Sequence, residues 1–375
     1  MSALGRTLAI ARKEVRHLRR DRLTLGMIVG IPALQLALFG YAINQDVRHL
    51  QAAVADLAGT QASRRLVADA EASQVVDVVA RVATPRQVDD LLRRGRVRVG
   101  LVIPIDFDRR ALDGTRPAAQ LVVDASDPTV LQAARGLQDL PLAARATEAP
   151  VRPSRVAPAD GREPALAVRA AYNPEGRSEV FIVPGLVGVI LTLTMVLFTS
   201  VAIVRERERG NLEMLITTPV RRAELMVGKV LPYVLIGLLQ IDLVVALGVA
   251  LFGVPVRGSL LDLHAGAVLF VAASLALGLL ISTLARTQFQ AFQVTMFTFL
   301  PSMLLSGFMF PFEGMPRPAQ ALAEILPLTH FVRIARGILL RDATLADVGG
   351  EAWPLAAFFA ATMALAILRF RKRLD

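Results

Sequence analysis

Long apolar stretches separated by polar segments dominate the hydrophobic pattern of the chain. Six stretches stand out, at 23–43, 181–204, 231–252, 263–285, 291–310 and 353–368. A helix needs about 20 mostly apolar residues to cross a hydrocarbon core about 30 Å thick. The pattern therefore predicts six transmembrane helices, of which the last is the shortest.

The segment before the first apolar stretch, residues 1–22, has a helical hydrophobic period. Its apolar positions recur at intervals of four and three residues: Leu4, Leu8, Ala11, Val15 and Leu18. Basic residues lie mostly on the other faces. This pattern is typical of a helix lying in a membrane interface among anionic headgroups. The alternative is a solvated start to the first span.

Residues 44–180 change to short alternating segments, which predict a separate α/β domain. Strand-like runs are expected at 53–57, 74–82, 97–103 and 120–124. Helices are expected at 63–72, 85–94 and 129–145. The run 148–164, rich in Pro, Ala and Arg, predicts a flexible loop before the chain returns to the membrane.

Composition supports a membrane protein. The 375 residues are 54% hydrophobic and only 20% charged, with a mean hydropathy of +0.51. This excludes a disordered chain and argues against an ordinary soluble enzyme. Without cysteine there is no disulfide, iron–sulfur cluster or thiolate zinc site. The four histidines show no metal-ligand spacing, so no metal site is expected.

The net charge of +10 is unevenly distributed. The segments 1–22, 205–230 and 369–375, together with Arg286, hold 18 basic and 7 acidic residues. The net charge of these segments is therefore greater than that of the whole chain. Because short loops rich in Lys and Arg stay cytoplasmic, both termini and the 205–230 loop are expected in the cytoplasm. Residues 44–180 are then extracytoplasmic. The distribution argues against a nucleic-acid partner.

The predicted cytoplasmic loop 205–229 reads RERERGNLEMLITTPVRRAELMVGK. Leu212, Leu215 and Ile216 form one apolar face of a short helix that Pro219 ends. Such a helix beneath a membrane is suited to docking a soluble partner. The chain contains no G-x-x-x-x-G-K-[ST] phosphate-binding motif, so ATP hydrolysis is expected on a separate protein.

Three blocks of sequence resemble a known family. They are the loop with the preceding YNPEGRSEVFIVPGLVGVILT (172–192), SGFMFPFEGMP with LPLTHFVRIARGILLRD (306–342), and GLVIPIDFDRRALDG (100–114) with LVVDASDP. In this order they resemble ABC-2 type transporter permeases. More narrowly, they resemble the multidrug-efflux-type subfamily with a large periplasmic domain between the first two membrane helices. One departure is Asn211, where the family more often has Thr.

The resemblance implies a polytopic α-helical membrane protein with an interfacial helix, outer re-entrant helices at 311–352 and an extracytoplasmic α/β domain. It implies a permease that is not itself an enzyme, forms a homo- or heterodimer in the bacterial inner membrane and exports substrate. This chain would bind no cofactor, and ATP with Mg would bind the partner ABC ATPase. The coupling residues would be Arg205, Glu206, Glu208, Gly210, Leu212, Glu213, Leu215 and Pro219. A periplasmic adaptor, an outer-membrane channel and membrane lipids are further partners.

The translocation-path candidates are Gln240, Asp242, Gln290, Phe310 and Glu313. A charge at the centre of a bilayer costs at least about 2.5–3.5 kcal/mol, so Asp242 is either functional or a hydrogen-bonded structural acid. The substrate is expected to be a drug-like amphiphile, a lipid or a glycan. The alternative function is a membrane sensor, or a force-transmitting subunit that does not itself pass substrate.

Overall fold

The computed structural model of the chain describes residues 48–113, 116–138, 166–209 and 222–369. The predicted interfacial helix 1–22, the span 23–43, the flexible loop 148–164 and the tail from 370 onwards lie outside these residues. So do residues 210–221 of the predicted coupling loop 205–230.

The first part of the described chain is a five-stranded mixed sheet covered by helices. The strands are β1 (Leu50–Asp56), β2 (Val76–Arg81), β3 (Val99–Ile103), β4 (Ala119–Asp124) and β5 (Leu166–Ala171), in the order β2-β1-β3-β4-β5. The pairs β1–β2, β1–β3 and β4–β5 are parallel, and β3–β4 is antiparallel. The helices are α1 (Gln61–Ala72), α2 (Pro85–Arg93), α3 (Phe107–Asp113) and α4 (Pro128–Arg135). These residues are called the sheet domain below.

Local sequence explains where these helices begin. Thr60 and Thr84 cap α1 and α2 with reciprocal hydrogen bonds to the third residue of each helix, and Asp127 caps α4. Pro85 and Pro128 occupy the first helical turn, where a missing N–H costs nothing. Strand side chains are buried in two separate apolar clusters, one on each face of the sheet. The central strands therefore read as continuous apolar runs.

The α/β character of this region is confirmed, with three differences in its elements. The helix predicted at 129–145 ends at Arg135, where Gly136 follows as the cap. Helix α3 was not predicted. Strand β5 was not predicted either, because its LAVRAA sequence alternates too weakly to be distinguished from the preceding loop.

The second part of the described chain is helical. Its long helices are α5 (Ser178–Glu208), α6 (Arg222–Phe252), α7 (Leu260–Leu284), α8 (Gln288–Leu305) and α11 (Ala352–Arg369). Within the described residues, four helices are long and apolar enough to cross a membrane: Ser178–Glu208, Pro232–Phe252, Leu260–Leu284 and Gly349–Arg369. Helix α8 is not among them, since three glutamines lower its hydropathy. The predicted count of six spans stays a prediction.

The fifth predicted stretch, 291–310, is wrong at its end. Helix α8 stops at Leu305, and Gly307 adopts a φ of 77°, a left-handed conformation that favours glycine. Phe310 therefore lies in a turn. The connection to α11 contains a 3₁₀ turn (Phe312–Gly314), α9 (Arg317–Ala323), α10 (Pro327–Arg341) and a second 3₁₀ turn (Gly349–Glu351). Prolines precede or begin the first three elements, as their helix-breaking role predicts.

Helices α5 and α7 lie at the centre of the helical part, and α10 packs against both. Gly278 of α7 lies so close to α5 that a Cβ there would be 2.7 Å from the carbonyl oxygen of Val196. The rings of Phe270 and Phe331 stack with centroids 4.3 Å apart, which joins α7 to α10. By contrast, most of α6 and α11 is exposed.

Candidate functional site

The sheet domain meets the helical part at a cluster of four charged side chains, called the junction cluster. Arg98 precedes β3 and Asp124 ends β4, while Glu313 lies in the first 3₁₀ turn and Arg341 ends α10. Because β3 and β4 are antiparallel neighbours, Arg98 and Asp124 are adjacent, and the Asp124 N–H donates to the Arg98 carbonyl (2.9 Å). The strand register thus places one cation and one anion together at this edge.

Asp124 is the centre of the junction cluster and is fully buried. Its Oδ2 accepts from Nη1 of Arg98 (3.1 Å) and Nη1 of Arg341 (3.2 Å). Its Oδ1 accepts from the N–H and hydroxyl of Ser126 (3.1 and 2.5 Å). Burial alone would raise the pKa of Asp124, but Arg341 and Arg98 hold it below its ordinary value. The carboxylate is therefore ionised and has hydrogen bonds on both oxygens.

Arg98 extends the junction cluster to Glu313. Its Nε donates to Oε1 of Glu313 at 2.8 Å. The pKa of Glu313, which burial would raise, is lowered by Arg98. The pKa of Arg98 is raised, chiefly by Glu313. One arginine thus bridges a carboxylate of the sheet domain and one of the helical part.

A second set of ion pairs joins α2 to the loop after α10. Arg93 donates to Asp347 at 2.7 Å, and Arg94 lies 3.4 Å from the same carboxylate. Hydrogen bonds from Thr344 lower the pKa of Asp347, and Arg93 adds to this effect. Two separate bridges therefore fix the sheet domain on the helical part.

Arg341 reaches the junction cluster past a glycine. Gly95 has a φ of 67°, and a Cβ on it would lie 2.9 Å from Nη2 of Arg341. The residue at this turn must both tolerate a left-handed backbone and leave room for the guanidinium. Arg341 is itself buried, with 5% of its side chain exposed.

Between the two parts of the chain lies a cavity of about 1100 Å³, called the junction cavity. Its charged lining residues are Arg48, His49, Asp77, Arg94, Arg96, Arg98, Glu313, Arg317, Glu324, Arg333, Arg341, Asp347 and Glu351. The other lining residues are two glutamines, three glycines and the apolar Phe312, Met315, Pro316 and Val348. The combination of charged and apolar lining suits an amphiphilic molecule.

Helix α10 carries a second polar cluster at the rim of this cavity. Arg333 bonds Glu324 (2.6 Å) and Glu351 (3.3 Å) and lies over the ring of Phe312. The buried His330 places Nδ1 2.6 Å from Glu351 and Nε2 2.9 Å from the Glu324 carbonyl oxygen. Contacts at both ring nitrogens therefore hold His330 between the Glu351 carboxylate and the Glu324 backbone.

Arg336, one turn further along α10, ties that helix to the end of α8. It donates to the carbonyl oxygens of Gly307 and Phe308 (2.9 and 3.2 Å) and lies 4.0 Å from the ring centroid of Phe181. These bonds satisfy carbonyls that would otherwise have no partner beyond the end of the helix.

The five path candidates do not converge. Glu313 belongs to the junction cluster, and Phe310 packs in the adjoining apolar cluster with Leu304 and Met315. Gln240 accepts from the Thr194 hydroxyl (2.9 Å) between α6 and α5. Gln290 lies in the first turn of α8, where its Oε1 accepts from the Arg286 N–H (2.9 Å).

Asp242 points away from Gln240 and has a partner that the sequence did not reveal. Its side chain is 58% exposed, and Oδ1 lies 3.0 Å from Nε2 of His264. Nδ1 of His264 lies 2.7 Å from the carbonyl oxygen of Leu260, which can only accept. Both ring nitrogens of His264 therefore face an oxygen atom, one on its own helix and one on α6. The two residues are on different helices, so no spacing rule could have paired them.

Three of the coupling candidates lie at the end of α5. Arg205, Glu206 and Glu208 continue this helix without a break, so the first residues of the predicted cytoplasmic loop belong to the long helix α5. Glu208 accepts from the backbone N–H of Gln288 (3.0 Å), which joins α5 to the start of α8. The remaining candidates, Gly210, Leu212, Glu213, Leu215 and Pro219, lie outside the described residues.

Sequence reasoning did not single out Asp124, Arg98 or Arg341 individually. A signal was present, because LVVDASDP and RGILLRD were both recognised as blocks. An aspartate that ends an apolar strand also requires a buried partner. That partner is 217 residues away, a pairing that only the fold creates.

A sheet domain fixed on long apolar helices, with a charged cavity between them, defines a multi-helix membrane protein of the permease class. The family model described as "ABC-2 family transporter protein" matches residues 22–368. The chain belongs to the ABC-2 transporter permease family, as the sequence blocks predicted, and is a transport component without enzymatic activity.

Three curated relatives come from Escherichia coli strain K12. The "Probable multidrug ABC transporter permease YbhS" is 34% identical over 347 residues, covering 89% of this chain and 88% of the relative. The "Probable multidrug ABC transporter permease YbhR" is 29% identical, with 98% and 99% covered. The "Inner membrane transport permease YhhJ" is 29% identical, with 96% and 95% covered.

Proposed function

We propose that this chain is the membrane-spanning subunit of an ATP-driven exporter that moves a drug-like amphiphile out of the cytoplasm or inner leaflet. The observation that carries the proposal is the similarity, over nearly the whole chain, to two permeases named as probable multidrug transporters. The junction cavity, which combines charged and apolar lining, gives the amphiphile a place to bind.

The proposed orientation places the sheet domain outside the cytoplasm. Support comes from arginines that gather at the opposite end of the helical part. Arg207 donates to the carbonyl of Ser282 near the end of α7, so α5 and α7 end together, close to Arg286. Excess Lys and Arg mark the cytoplasmic face of a membrane protein. The junction cavity then faces the exit side.

We place the contact with a separate ABC ATPase at residues 205–218. Helix α5 begins beside the sheet domain and ends at Glu208. Its 31 residues span about 46 Å at about 1.5 Å per residue. Movement at Arg205–Glu208 would reach the junction through α5 and the packed α10. Dimerisation and ATP with Mg on the partner complete the proposed exporter, and a periplasmic adaptor with an outer-membrane channel is a further possible assembly.

The test is ATP hydrolysis by the reconstituted complex of permease and ATPase, with and without an amphiphilic drug. We expect the drug to stimulate hydrolysis, and Leu215→Arg in the proposed coupling segment to abolish the stimulation. The matched control is Leu112→Arg, since Leu112 is 72% exposed on the sheet domain. Equal stimulation in both variants would contradict coupling through this segment.

A further inference from the structure

The junction cavity has more positive than negative side chains, and two of its arginines have no ion pair among the described residues. Asp77 is paired with His49, and Glu313 with Arg98. Asp347 is bound by Arg93 and Arg94, and Arg333 bonds both Glu324 and Glu351. Each lining carboxylate is thus already engaged by a basic side chain.

Arg96 and Arg317 are these two arginines. Both are exposed toward the cavity, one from the turn after α2 and one from the start of α9. Within the described ranges, neither has an ion pair. They therefore offer guanidinium groups that have no ion pair among the described residues, one from the sheet domain and one from the helical part.

Arg341 adds a buried donor. Its Nη1 is bound to Asp124, but its Nε, although buried, has no hydrogen-bond partner among the described residues. A buried donor without a partner is rare and costs free energy. Arg341 lines the cavity and lies against Gly95, next to Arg96, so its guanidinium adds positive charge to this wall while Nε itself is buried.

We propose that the junction cavity binds the anionic headgroup of an amphiphile, a phosphate-type group, through Arg96 and Arg317, with Arg341 adding positive charge to the same wall. The planar guanidinium fork matches the oxygens of a phosphate group. The inference deepens the proposed function, on which it rests, by naming the chemistry of the molecule at the exit side.

The cavity favours an amphiphile over a small anion. Its volume of about 1100 Å³ is that of a site for a drug-sized molecule. Met315 and Val348 provide apolar surface for the start of a hydrocarbon tail. An uncharged glycan fits less well, because Arg333 already covers one face of the Phe312 ring at 4.5 Å.

The experiment is isothermal titration calorimetry on the purified full-length permease in nanodiscs. The probes are hexyl phosphate, the neutral hexyl glucoside and inorganic phosphate. The test variant is Arg96→Gln with Arg317→Gln. The matched control is Arg65→Gln with Arg86→Gln, which removes the same charge from exposed positions on α1 and α2 outside the cavity lining.

We expect hexyl phosphate to bind the native chain and the control alike, and the test variant about tenfold more weakly or worse. A tenfold loss is what one charge-assisted hydrogen bond contributes. Equal binding in the test variant, or equally tight binding of hexyl glucoside, would overturn the proposal. If inorganic phosphate binds as tightly as hexyl phosphate, the ligand is a small anion and the proposal of an amphiphile is wrong.

The same variants in the ATPase complex separate this proposal from the proposed function. If hexyl phosphate binding depends on the two arginines but the complex exports nothing, the exporter function is wrong and the site stands. If the complex exports its drug while hexyl phosphate binding is absent, the site is wrong and the exporter function stands.

Discussion

Two acid–base pairs in this chain have similar chemistry and opposite surroundings. Asp124 and Arg341 are buried between the sheet domain and the helical part, where the Asp124 carboxylate also accepts hydrogen bonds from Ser126. Asp242 lies on the exposed side of α6, among leucines such as Leu239 and Leu243 that are also exposed, and pairs with His264 of α7.

This difference in burial shows that an acid–base pair can have two different roles in a membrane protein. A buried pair with complete hydrogen bonding is a structural element, and removing one partner leaves an uncompensated charge. A pair on an apolar exposed face contributes little to packing within the chain. A polar group in a membrane-spanning helix costs free energy, so the presence of such a pair on this face points to a functional role. The predictions below test this contrast.

The largest effect is expected for Asp124→Asn. The substitution leaves Arg98 and Arg341 facing a neutral group, and breaking a buried ion pair costs about 3–5 kcal/mol. We expect a clear fall in the melting temperature of the purified permease. Asp77→Asn, in an exposed pair with His49, is the matched control and should cost less than about 1 kcal/mol. Equal effects of the two would remove the junction cluster from the stabilising elements.

The next largest effect is expected from acid, which should weaken the ion pairs of the junction cluster. The pKa values of Asp124 and Glu313 lie below their ordinary values of about 3.9 and 4.3. The folded chain therefore binds fewer protons than the unfolded chain near these values. Their contribution is complete above about pH 5 and is lost as the pH falls through the folded pKa values.

The measurement is the melting temperature between pH 3 and 7, compared with that of Asp124→Asn. We expect the native chain to lose more stability on acidification than the variant, since the variant has no carboxylate at this position to protonate. Parallel curves for the two proteins would contradict a role for Asp124 in the acid response.

Gly95→Ala should have an intermediate effect. An alanine at a φ of 67° costs about 1–2 kcal/mol in backbone strain, and its Cβ would also press on Arg341. Gly59→Ala is a close control, because Gly59 has a φ of 61° and nothing within 4 Å of the added Cβ. We expect Gly95→Ala to lower the melting temperature more than Gly59→Ala. Equal losses would show that Arg341 moves without cost.

The smallest effect on stability is expected for Asp242→Asn. The side chain is exposed and packs little, so the free energy of unfolding should change by less than about 1 kcal/mol. Transport or drug resistance should nevertheless change while expression persists. His264→Gln and the double variant should show the same change if the two residues act as one unit. Unchanged transport in Asp242→Asn would exclude the residue from the path.

Much of the fold followed from local pattern. Thr60, Thr84 and Asp127 with the prolines that follow two of them set the helix starts of the sheet domain. The candidate site was only partly predictable. Glu313 was named, but its partner Arg98 lies 215 residues away. Gln290 was a plausible path residue by composition, and its place in the first turn of α8 gives it a local bond to Arg286 instead.

The sequence alone determined the class of the protein. Apolar runs and arginine asymmetry, which are properties of local composition, indicated a membrane protein, and the resemblance of three ordered sequence blocks indicated a permease of the ABC-2 family. Tertiary structure decided which apolar helices are central and which charged side chains contact Asp124. It also decided where the arginine-lined junction cavity lies. The physical reason is that hydropathy records the tendency of a residue to leave water. Which neighbour it meets depends on the packing of segments far apart in the chain.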